Sequence, residues 1–476
     1  MLLIQIITTL LKIYAFIYLA GLTSWIIAIP IYLMCDQAVQ FILLHIFGLQ
    51  KVNEGIDTLE LTLGNLMVIL NIETDGQVES LQSISEQFFR NSEGIPELRS
   101  RVVKFLNNIY LKEYKGDELQ KYWAQAFVNV QDKIHTKDEL LEFTNKISYK
   151  SIPNEKLQFT LYLIKDYQPN SSAIIMHINH GIADGIASFN LLNCLQDKFQ
   201  VNNQPLQNIK TSSQKLQELI SCLIFPYYTL MSKPSTTQDT EVFDERDNPP
   251  QFAICKDYDL QTIKNLSRMF QCTINDIICT VYLEAYAQYL KDNKLAIPQH
   301  YKCCIPINLR EPIRSKKNLS LFNVQILPET FLIVPQYLED LSNRDNEFEQ
   351  TLRKNKQIFD GLKKINYAWS IVMGARFLGY LLPPYIQSLV GPQLMQFIRR
   401  NISNICGPSK PYIIGGVQTK RMHFRGGFHG LIAAINILSH NGIFRISANM
   451  DRVDIDAKQL IQKFEESLDF WIKKKL

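Results

Sequence analysis

The first 50 residues contain only two charged side chains, Lys12 and Asp36, and residues 13–35 form an uncharged run. A helix over this run would be about 34 Å long, enough to cross a bilayer hydrocarbon core of about 30 Å. We therefore expect residues 1–50 to form a membrane anchor. A cleaved signal peptide is the competing interpretation, but the run is too long for one and lacks both a basic start and an A-x-A site.

Two features leave the mode of membrane contact open. Pro30 and a second apolar stretch over residues 38–47 allow a hairpin or an interfacial helix in place of a single span. Lys12 and Lys51 flank both sides of the segment, so the distribution of positive charge does not decide its orientation.

The remaining composition is that of a globular protein. The 476 residues are 46% hydrophobic and 20% charged, which allows two or three domains with a sizeable core. Fifty Lys and Arg against 46 Asp and Glu give a net charge of +4, too little for the basic surface of a nucleic-acid-binding protein. Nine cysteines without C-x-x-C spacing indicate reduced thiols in a protein that faces the cytosol.

The pattern of apolar residues divides the chain into two mixed α/β halves. We expect an N-terminal lobe over residues 51–225, an exposed crossover linker rich in Pro, Ser and Thr over residues 226–250, and a C-terminal lobe over residues 251–476. The same patterns predict helices at 78–90, 97–108, 138–147, 184–195, 214–224, 260–270, 275–290, 347–362 and 464–475, and strands at 60–70, 156–179, 300–307, 320–327, 397–405, 423–434 and 442–450.

One cluster of residues, around a histidine, is the candidate for catalysis. The sequence has no G-x-S-x-G, H-E-x-x-H, P-loop or G-x-G-x-x-G motif. His180 stands where an apolar strand ends, followed by Gly181, Asp184 and Gly185 at the start of a helix. The two glycines allow a sharp turn with space beside the imidazole, and Asp184 can cap the helix or pair with an arginine.

Two other interpretations of His180 compete with catalysis. His177 and His180 could bind a metal, but residues three apart at a strand end face different sides and no third ligand is near. His180 could also be an ordinary histidine in a turn. We therefore expect no metal site. The motifs elsewhere in the sequence bear on whether His180 is catalytic or an ordinary histidine in a turn.

Five short motifs occur in order over about 400 residues. They are N-H-G-I-A-D-G at 179–185, C-T-I-N-D-I-I at 272–278, I-P-I-N-L-R at 305–310, N-I-S-N-I-C-G-P at 401–408 and A-I-N-I-L-S-H-N-G at 434–442. Together they resemble the motifs of the bifunctional wax ester synthase/diacylglycerol acyltransferase family, in the CoA-dependent acyltransferase superfamily with its HHxxxDG signature. Asn179 stands where the signature has its first histidine, and the linker lacks the family's usual arginine- and asparagine-containing pattern.

The resemblance implies a two-lobed α/β fold of the chloramphenicol-acetyltransferase type, with a tunnel between the lobes. His180 would be the general base on the acceptor alcohol, and acyl-CoA the co-substrate, with no bound cofactor. Ser403 and Asn404 are candidates for stabilising the oxyanion. Asn275 is a candidate for substrate contact, but it or Thr273 could instead cap a helix next to Asp276. Arg310 would pair with Asp184, and the alternative is an ordinary surface arginine.

The expected activity is therefore an O-acyltransferase that forms wax ester or triacylglycerol from a long-chain alcohol or diacylglycerol at a membrane. The alternatives are an enzyme of the same fold with another alcohol acceptor and an inactive, membrane-tethered lipid-binding protein. Lys473 and Lys474 resemble a dilysine retrieval signal of the endoplasmic reticulum, with the lobes in the cytosol. The same lysines could instead complement the dipole of a terminal helix. The sequence does not indicate an oligomeric state.

Overall fold

Three sheets organise the part of the chain that the structure describes. The structure is a computed structural model and describes residues 25–52, 67–105, 108–148, 150–198, 251–297, 300–307, 330–337, 341, 347–364, 400–427, 433–450 and 455–475. The predicted linker at 226–250, the predicted helix at 214–224 and the predicted strand at 320–327 lie outside these residues, as does Arg310.

The N-terminal lobe is built on one mixed sheet with helices on both faces. Its elements are β2 (Met67–Asp75), α2 (Leu81–Asn91), α3 (Gly116–Gln125), β5 (Phe127–Asn129), α4 (Lys137–Ser148), β6 (Phe159–Gln168), β7 (Ser171–Asn179) and α5 (Gly185–Leu195). The strand order is β13-β14-β2-β7-β6-β5, in which β13 (Ile413–Ile414) and β14 (Val417–Gly427) come from the second half of the sequence. Strand β7 lies inside the sheet and is buried along its whole length, and its middle, Ala173–Met176, is apolar as expected for a strand covered on both faces.

A small separate sheet carries the N-terminal helix. Helix α1 (Trp25–Phe47) leads into β1 (Leu49–Lys51), which pairs with β4 (Asn108–Glu113), and β4 pairs with β3 (Ser100–Phe105). Leu43, Leu49 and Tyr110 form the buried contact between the helix and the sheet. Residues 13–24 of the predicted span lie outside the described residues. Of the helices that the structure describes, none has the length and apolarity needed to cross a bilayer.

The C-terminal lobe packs its helices on one face of a second mixed sheet. Its elements are β8 (Gln251–Ile254), β9 (Tyr258–Asp259), α6 (Leu260–Met269), α7 (Ile274–Asp292), β10 (His300–Ile307), β11 (Thr330–Tyr337), α8 (Glu347–Lys364), β12 (Arg400–Cys406), β15 (Ala433–His440), β16 (Ile443–Met450) and α9 (Ala457–Lys475). The strand order is β11-β10-β12-β15-β16-β8, with β9 paired to β16. The opposite face of this sheet turns toward the N-terminal lobe.

The two lobes exchange strands, which the prediction of a lobe boundary at residue 251 did not include. Strands β13 (Ile413–Ile414) and β14 (Val417–Gly427) belong to the second half of the sequence, yet β14 pairs with β2 in the N-terminal sheet. The predicted single strand at 423–434 is therefore wrong. The chain leaves one sheet at Gly427 and enters the other at Ala433.

One further prediction of local structure is wrong. Residues 97–108 were expected to be helical, but only a short 3₁₀ turn, Pro96–Arg99, precedes strand β3. The β-branched pair Val102 and Val103 favours a strand, and β4 provides the partner that an isolated sequence window does not reveal. Residues 156–179, expected to be strand interrupted by turn formers, form the two strands β6 and β7, with Asn170 in the left-handed region (φ 57°) at the turn between them.

Candidate active site

His180 lies half-buried directly after the central strand β7. The chain turns there because the backbone N–H groups of Ile182 and Ala183 both donate to the carbonyl of Asn179, at 2.9 and 3.2 Å. The strand thus ends at a tight turn that places His180 just beyond the C-terminal end of β7. The sequence predicted this position.

Asn179 holds the turn in place. Its Nδ2 donates to Oε1 of Gln158 at 3.0 Å, and its Oδ1 accepts from the N–H of Gly181 at 3.1 Å. The side chain is buried, and Gln158 in turn donates to the carbonyls of Pro153 and Lys156. The residue that departs from the HHxxxDG signature therefore makes a specific contribution to the loop that carries His180.

Asp184 is the N-cap of helix α5. Its extended backbone (φ −71°, ψ −175°) lets Oδ1 accept from the N–H of Ala187 at 2.9 Å. Its carbonyl accepts from both the N–H and the hydroxyl of Ser188, each at 2.8 Å. The side chain thereby fixes the end of the loop that begins at His180. Its predicted pairing with Arg310 stays a prediction, because Arg310 is outside the described residues.

Gly185 brings the two lobes together. A Cβ atom at this position would lie 2.5 Å from Cδ1 of Ile405 on β12, so no larger residue fits unless that side chain moves. Directly after β12, a Cβ at Gly407 would lie 2.4 Å from the carbonyl oxygen of Ser439 and 3.5 Å from the ring of Phe189 on α5. The sequence predicted that Gly185 allows a turn, whereas the structure shows that it also permits close packing between the lobes.

These contacts also give the direction in which β12 runs past α5. Gly407 lies beside Phe189, and Ile405 lies beside Gly185, so earlier residues of β12 approach the start of the helix and the loop before it. Ser403 is two residues before Ile405 and therefore on the same face, about 7 Å further along the strand. Ser403 is buried and, by the alternation of a strand, its side chain lies on the side of β12 that faces α5 and the loop before it.

Asn404 does not share this face. Successive residues of a strand point to opposite sides, and the Nδ2 of Asn404 donates to Oδ1 of Asn275 at 3.3 Å on the side of helix α7. Ser403 and Asn404, both candidates for stabilising the oxyanion, therefore lie on opposite faces of β12. Of the two, Ser403 is the one oriented toward the loop.

The start of α7 shows which of the candidate residues cap the helix. Thr273 is the N-cap, and its Oγ1 accepts from the N–H of Asp276 at 3.2 Å while the Asp276 carboxylate accepts from the N–H of Thr273 at 2.9 Å. This reciprocal capping box satisfies two backbone donors. Asp276 is therefore structural, and Asn275 contacts Asn404 and Cys279.

His177 differs from His180 in its surroundings. It is almost completely buried within β7, and burial, together with the charge of Lys150, lowers the pKa of His177 to about 4. The ring is therefore neutral near pH 7. Within the described ranges, no group of three His, Cys, Asp or Glu side chains is arranged to hold a metal ion.

The sequence analysis gave no role to Asn436, which lies on β15 within the A-I-N-I-L-S-H-N-G motif at 434–442. Asn436 pairs with Ser403 in the register of β12 and β15, and it is 3% exposed. Its Nδ2 has no hydrogen-bond partner among the described residues. A signal was present in the sequence, because Asn436 interrupts an otherwise apolar stretch of the strand.

Comparison with known proteins gives one family match. Residues 338–470 match the family model described as the WS/DGAT C-terminal domain. A comparison with curated protein sequences gives no match.

Several solved structures share the fold. The wax ester synthase/diacylglycerol acyltransferase from Marinobacter aquaeolei VT8 aligns with a TM-score of 0.60 at 14% identity, over 88% of this chain and 98% of that chain. The trichothecene 15-O-acetyltransferase from Fusarium sporotrichioides aligns with a TM-score of 0.61 at 12% identity, over 90% and 96%. Polyketide synthase associated protein 5 from Mycobacterium tuberculosis aligns with a TM-score of 0.55 at 9% identity, over 90% and 99%.

The fold is thus the α/β fold of condensation domains and CoA-dependent acyltransferases, with the motif loop at the junction of its lobes. The enzyme class predicted from the sequence, an acyltransferase, is confirmed by the family match. The resemblance to the wax ester synthase/diacylglycerol acyltransferase family is confirmed by the same match and by the fold of the Marinobacter enzyme.

Proposed function

We propose that this chain is an acyl-CoA-dependent O-acyltransferase that forms neutral lipid esters, wax ester or triacylglycerol, with His180 as the general base. The main support for the proposal is the position of His180. It follows the central strand, is held by Asn179 and Asp184, and lies where Gly185 contacts β12 of the other lobe. The WS/DGAT match over residues 338–470 supports the substrate class.

The chemistry follows from the weakness of an alcohol as a nucleophile at neutral pH. Neutral His180 accepts the hydroxyl proton as the alcohol oxygen attacks the thioester carbonyl, an effect worth about 10²- to 10⁴-fold in rate. The carbonyl electron pair moves onto oxygen and returns when the C–S bond breaks. His180 then gives its proton to the departing CoA thiolate. The Ser403 hydroxyl is the candidate donor to the transient oxyanion.

A second candidate function is esterification of a different alcohol by the same chemistry. The Fusarium enzyme is a trichothecene 15-O-acetyltransferase and aligns as well as the wax ester synthase does, so the fold alone does not select the acceptor. A lipid-binding protein without turnover is disfavoured, because Asn179 supports the catalytic loop despite its departure from the signature.

The test is expression of the chain in cells that lack neutral lipid esters, followed by mass spectrometry of the lipids. New wax ester or triacylglycerol supports the leading function, and an ester of another alcohol supports the second. His180→Ala should lower ester formation by at least about two decades, the size expected for loss of a general base. His177→Ala is the matched control and should retain most activity. Absence of any new ester, or more than about a tenth of activity in His180→Ala, contradicts the proposal.

The proposal includes association with a membrane surface through α1. The outer side of this helix exposes large apolar side chains, among them Phe41 (64%), Ile46 (69%) and Phe47 (56%). Its other side packs against the small sheet through Leu43. A long-chain alcohol or diacylglycerol resides in lipid, so an apolar helix lying in the interface would bring the enzyme to its substrates. This corresponds to the interfacial arrangement that the sequence left open.

Vesicle flotation of the purified protein tests this part of the proposal. Replacing Phe41, Ile46 and Phe47 together by Ser should abolish flotation with lipid vesicles and leave the melting temperature unchanged. Ser at Met269 and Leu295, two exposed apolar positions on the other lobe, is the matched control and should have no effect. Flotation that survives the triple substitution would exclude α1 as the contact. Location at the endoplasmic reticulum stays a prediction from Lys473 and Lys474.

A further inference from the structure

Asn436 has an unused hydrogen-bond donor in the interior of the protein. The side chain lies on β15, is 3% exposed, and has no partner for Nδ2 among the described residues. Its backbone carbonyl, by contrast, accepts from the hydroxyl of Ser447 at 3.5 Å. Buried polar groups nearly always have partners, so a free donor at a fixed position calls for a ligand or a functional explanation.

The register of the sheet shows where this donor lies. Asn436 pairs with Ser403, and Leu438 pairs with Ile405 on the same face. Ile405 and Leu438 both pack into the core of the N-terminal lobe, and Ile405 meets Gly185 at the start of α5. The row formed by Ser403 and Asn436 is the next one toward the loop of residues 180–184.

We infer that the Nδ2 of Asn436 donates a hydrogen bond to the oxyanion that forms on the thioester carbonyl, beside the hydroxyl of Ser403. The inference rests on the proposed function. Attack by the alcohol oxygen moves the carbonyl electron pair onto oxygen, and the fixed N–H stabilises that charge before the pair returns and the C–S bond breaks. An amide on a central strand needs no reorganisation when the charge appears, which is what makes such a donor effective.

The decisive variant is Asn436→Leu, measured as kcat, KM and melting temperature on the purified full chain. Leu has a shape similar to that of Asn and removes an unsatisfied buried donor, so the melting temperature should stay the same or rise. The kcat for ester formation should fall by about 10²- to 10³-fold, the usual effect of losing one oxyanion donor, with little change in KM for acyl-CoA. Asn436→Ser, which keeps a hydroxyl donor, should recover part of the loss.

Asn71→Leu is the matched control. Asn71 is also a buried asparagine on a central strand with an unpartnered Nδ2, but its Oδ1 accepts from Thr144 on α4 at 2.9 Å, away from the loop. Its kcat should be unchanged. An Asn436→Leu enzyme within about threefold of wild-type kcat, or an equal loss in Asn71→Leu, overturns the inference while leaving the proposed function intact. A wild-type chain that forms no ester overturns both.

Discussion

At the scale of single residues, the loop after β7 depends on one buried amide. The side-chain nitrogen of Asn179 donates a hydrogen bond to Gln158, and its oxygen accepts one from the backbone N–H of Gly181. A neutral histidine, which the signature has at this position, also offers one N–H donor and one acceptor nitrogen. The departure from the signature therefore preserves the turn by a different side chain.

We predict that Asn179→Ala reduces both stability and turnover. The substitution leaves Oε1 of Gln158 and the N–H of Gly181 unsatisfied, which costs about 1–3 kcal/mol in the free energy of unfolding. Urea unfolding of Asn179→Ala, Gln158→Ala and the double variant measures the effect. Because the two side chains interact directly, the energies should be non-additive by more than about 0.5 kcal/mol. Additive energies would show that the hydrogen bond between them contributes nothing.

At the scale of elements, helix α1 has two sides with different roles. Leu43 is 5% exposed and packs with Leu49 and Tyr110, whereas Ile46, three residues later, is 69% exposed. The last turns of the segment predicted as a membrane anchor are therefore also part of a folded contact with the small sheet. The pairing of Lys51 with Asp36, at 3.2 Å, joins the same two elements.

We predict that Leu43→Ala destabilises this contact, whereas Ile46→Ala does not. Truncation of a buried leucine costs about 2–5 kcal/mol, with the lower end expected in a small cluster, while an exposed substitution stays within about 0.5 kcal/mol. Hydrogen exchange at the backbone amides of β1 and β4 measures the local effect. Equal protection in the two variants would mean that α1 does not pack on the sheet in solution.

At the scale of the whole molecule, a cluster of four charged side chains connects the two sheets. Glu73 on β2 and Arg421 on β14 belong to the N-terminal sheet, and Asp257 and Arg445 belong to the C-terminal lobe. Arg445 bonds to Asp257 and lies 3.5 Å from Glu73. Burial alone would raise the pKa of Asp257, but the charges of Arg445 and Arg421 outweigh it and keep that pKa below its usual value.

We predict that Arg445→Ala destabilises the protein far more than Arg421→Ala. Arg445 is 7% exposed, and its loss leaves the buried carboxylate of Glu73 with one positive charge fewer beside it. This costs about 3–5 kcal/mol in the free energy of unfolding. Arg421 is 33% exposed, so its contribution is screened and should be about 1 kcal/mol or less. Melting curves of the two variants test the difference. Equal losses would show that the two arginines are equivalent and that burial does not distinguish them.

The buried histidines predict how stability changes with pH. Burial lowers the pKa of His177 and of His440 to about 4, below the usual value of 6.5 for an unfolded chain. Because the unfolded state binds these protons first, the stability they contribute is complete above about pH 6.5 and is lost as the pH falls toward 4. Urea midpoints measured between these pH values should fall steadily.

The contribution of these histidines can be separated from that of the carboxylates. His177→Gln and His440→Gln should each flatten the decline between pH 6.5 and 4, because glutamine does not titrate. The acidic groups of the ion cluster remain in both variants, so their effect cancels in the comparison. An unchanged pH dependence in both variants would show that the two rings are not buried as neutral groups.

The sequence by itself determined the local elements and the motif loop. Alternating and helical patterns located most strands and helices, because these patterns depend on which face is buried, and the strand, turn and helix start around His180 depend on residues close together in the chain. Asp184 and Thr273 as N-caps are also local features, so the residue types were sufficient to suggest both.

Only the tertiary structure decided which side chains share a face and which strands share a sheet. The separation of Ser403 from Asn404, the pairing of Ser403 with Asn436 and the passage of β14 into the N-terminal sheet depend on register between segments far apart in sequence. A register shift of one position turns every side chain of a strand to the opposite face of the sheet. A motif that names neighbouring residues therefore does not show which of them faces the site. The same non-local packing gives Gly185 its second role, because the contact that excludes a Cβ comes from Ile405 on the other lobe.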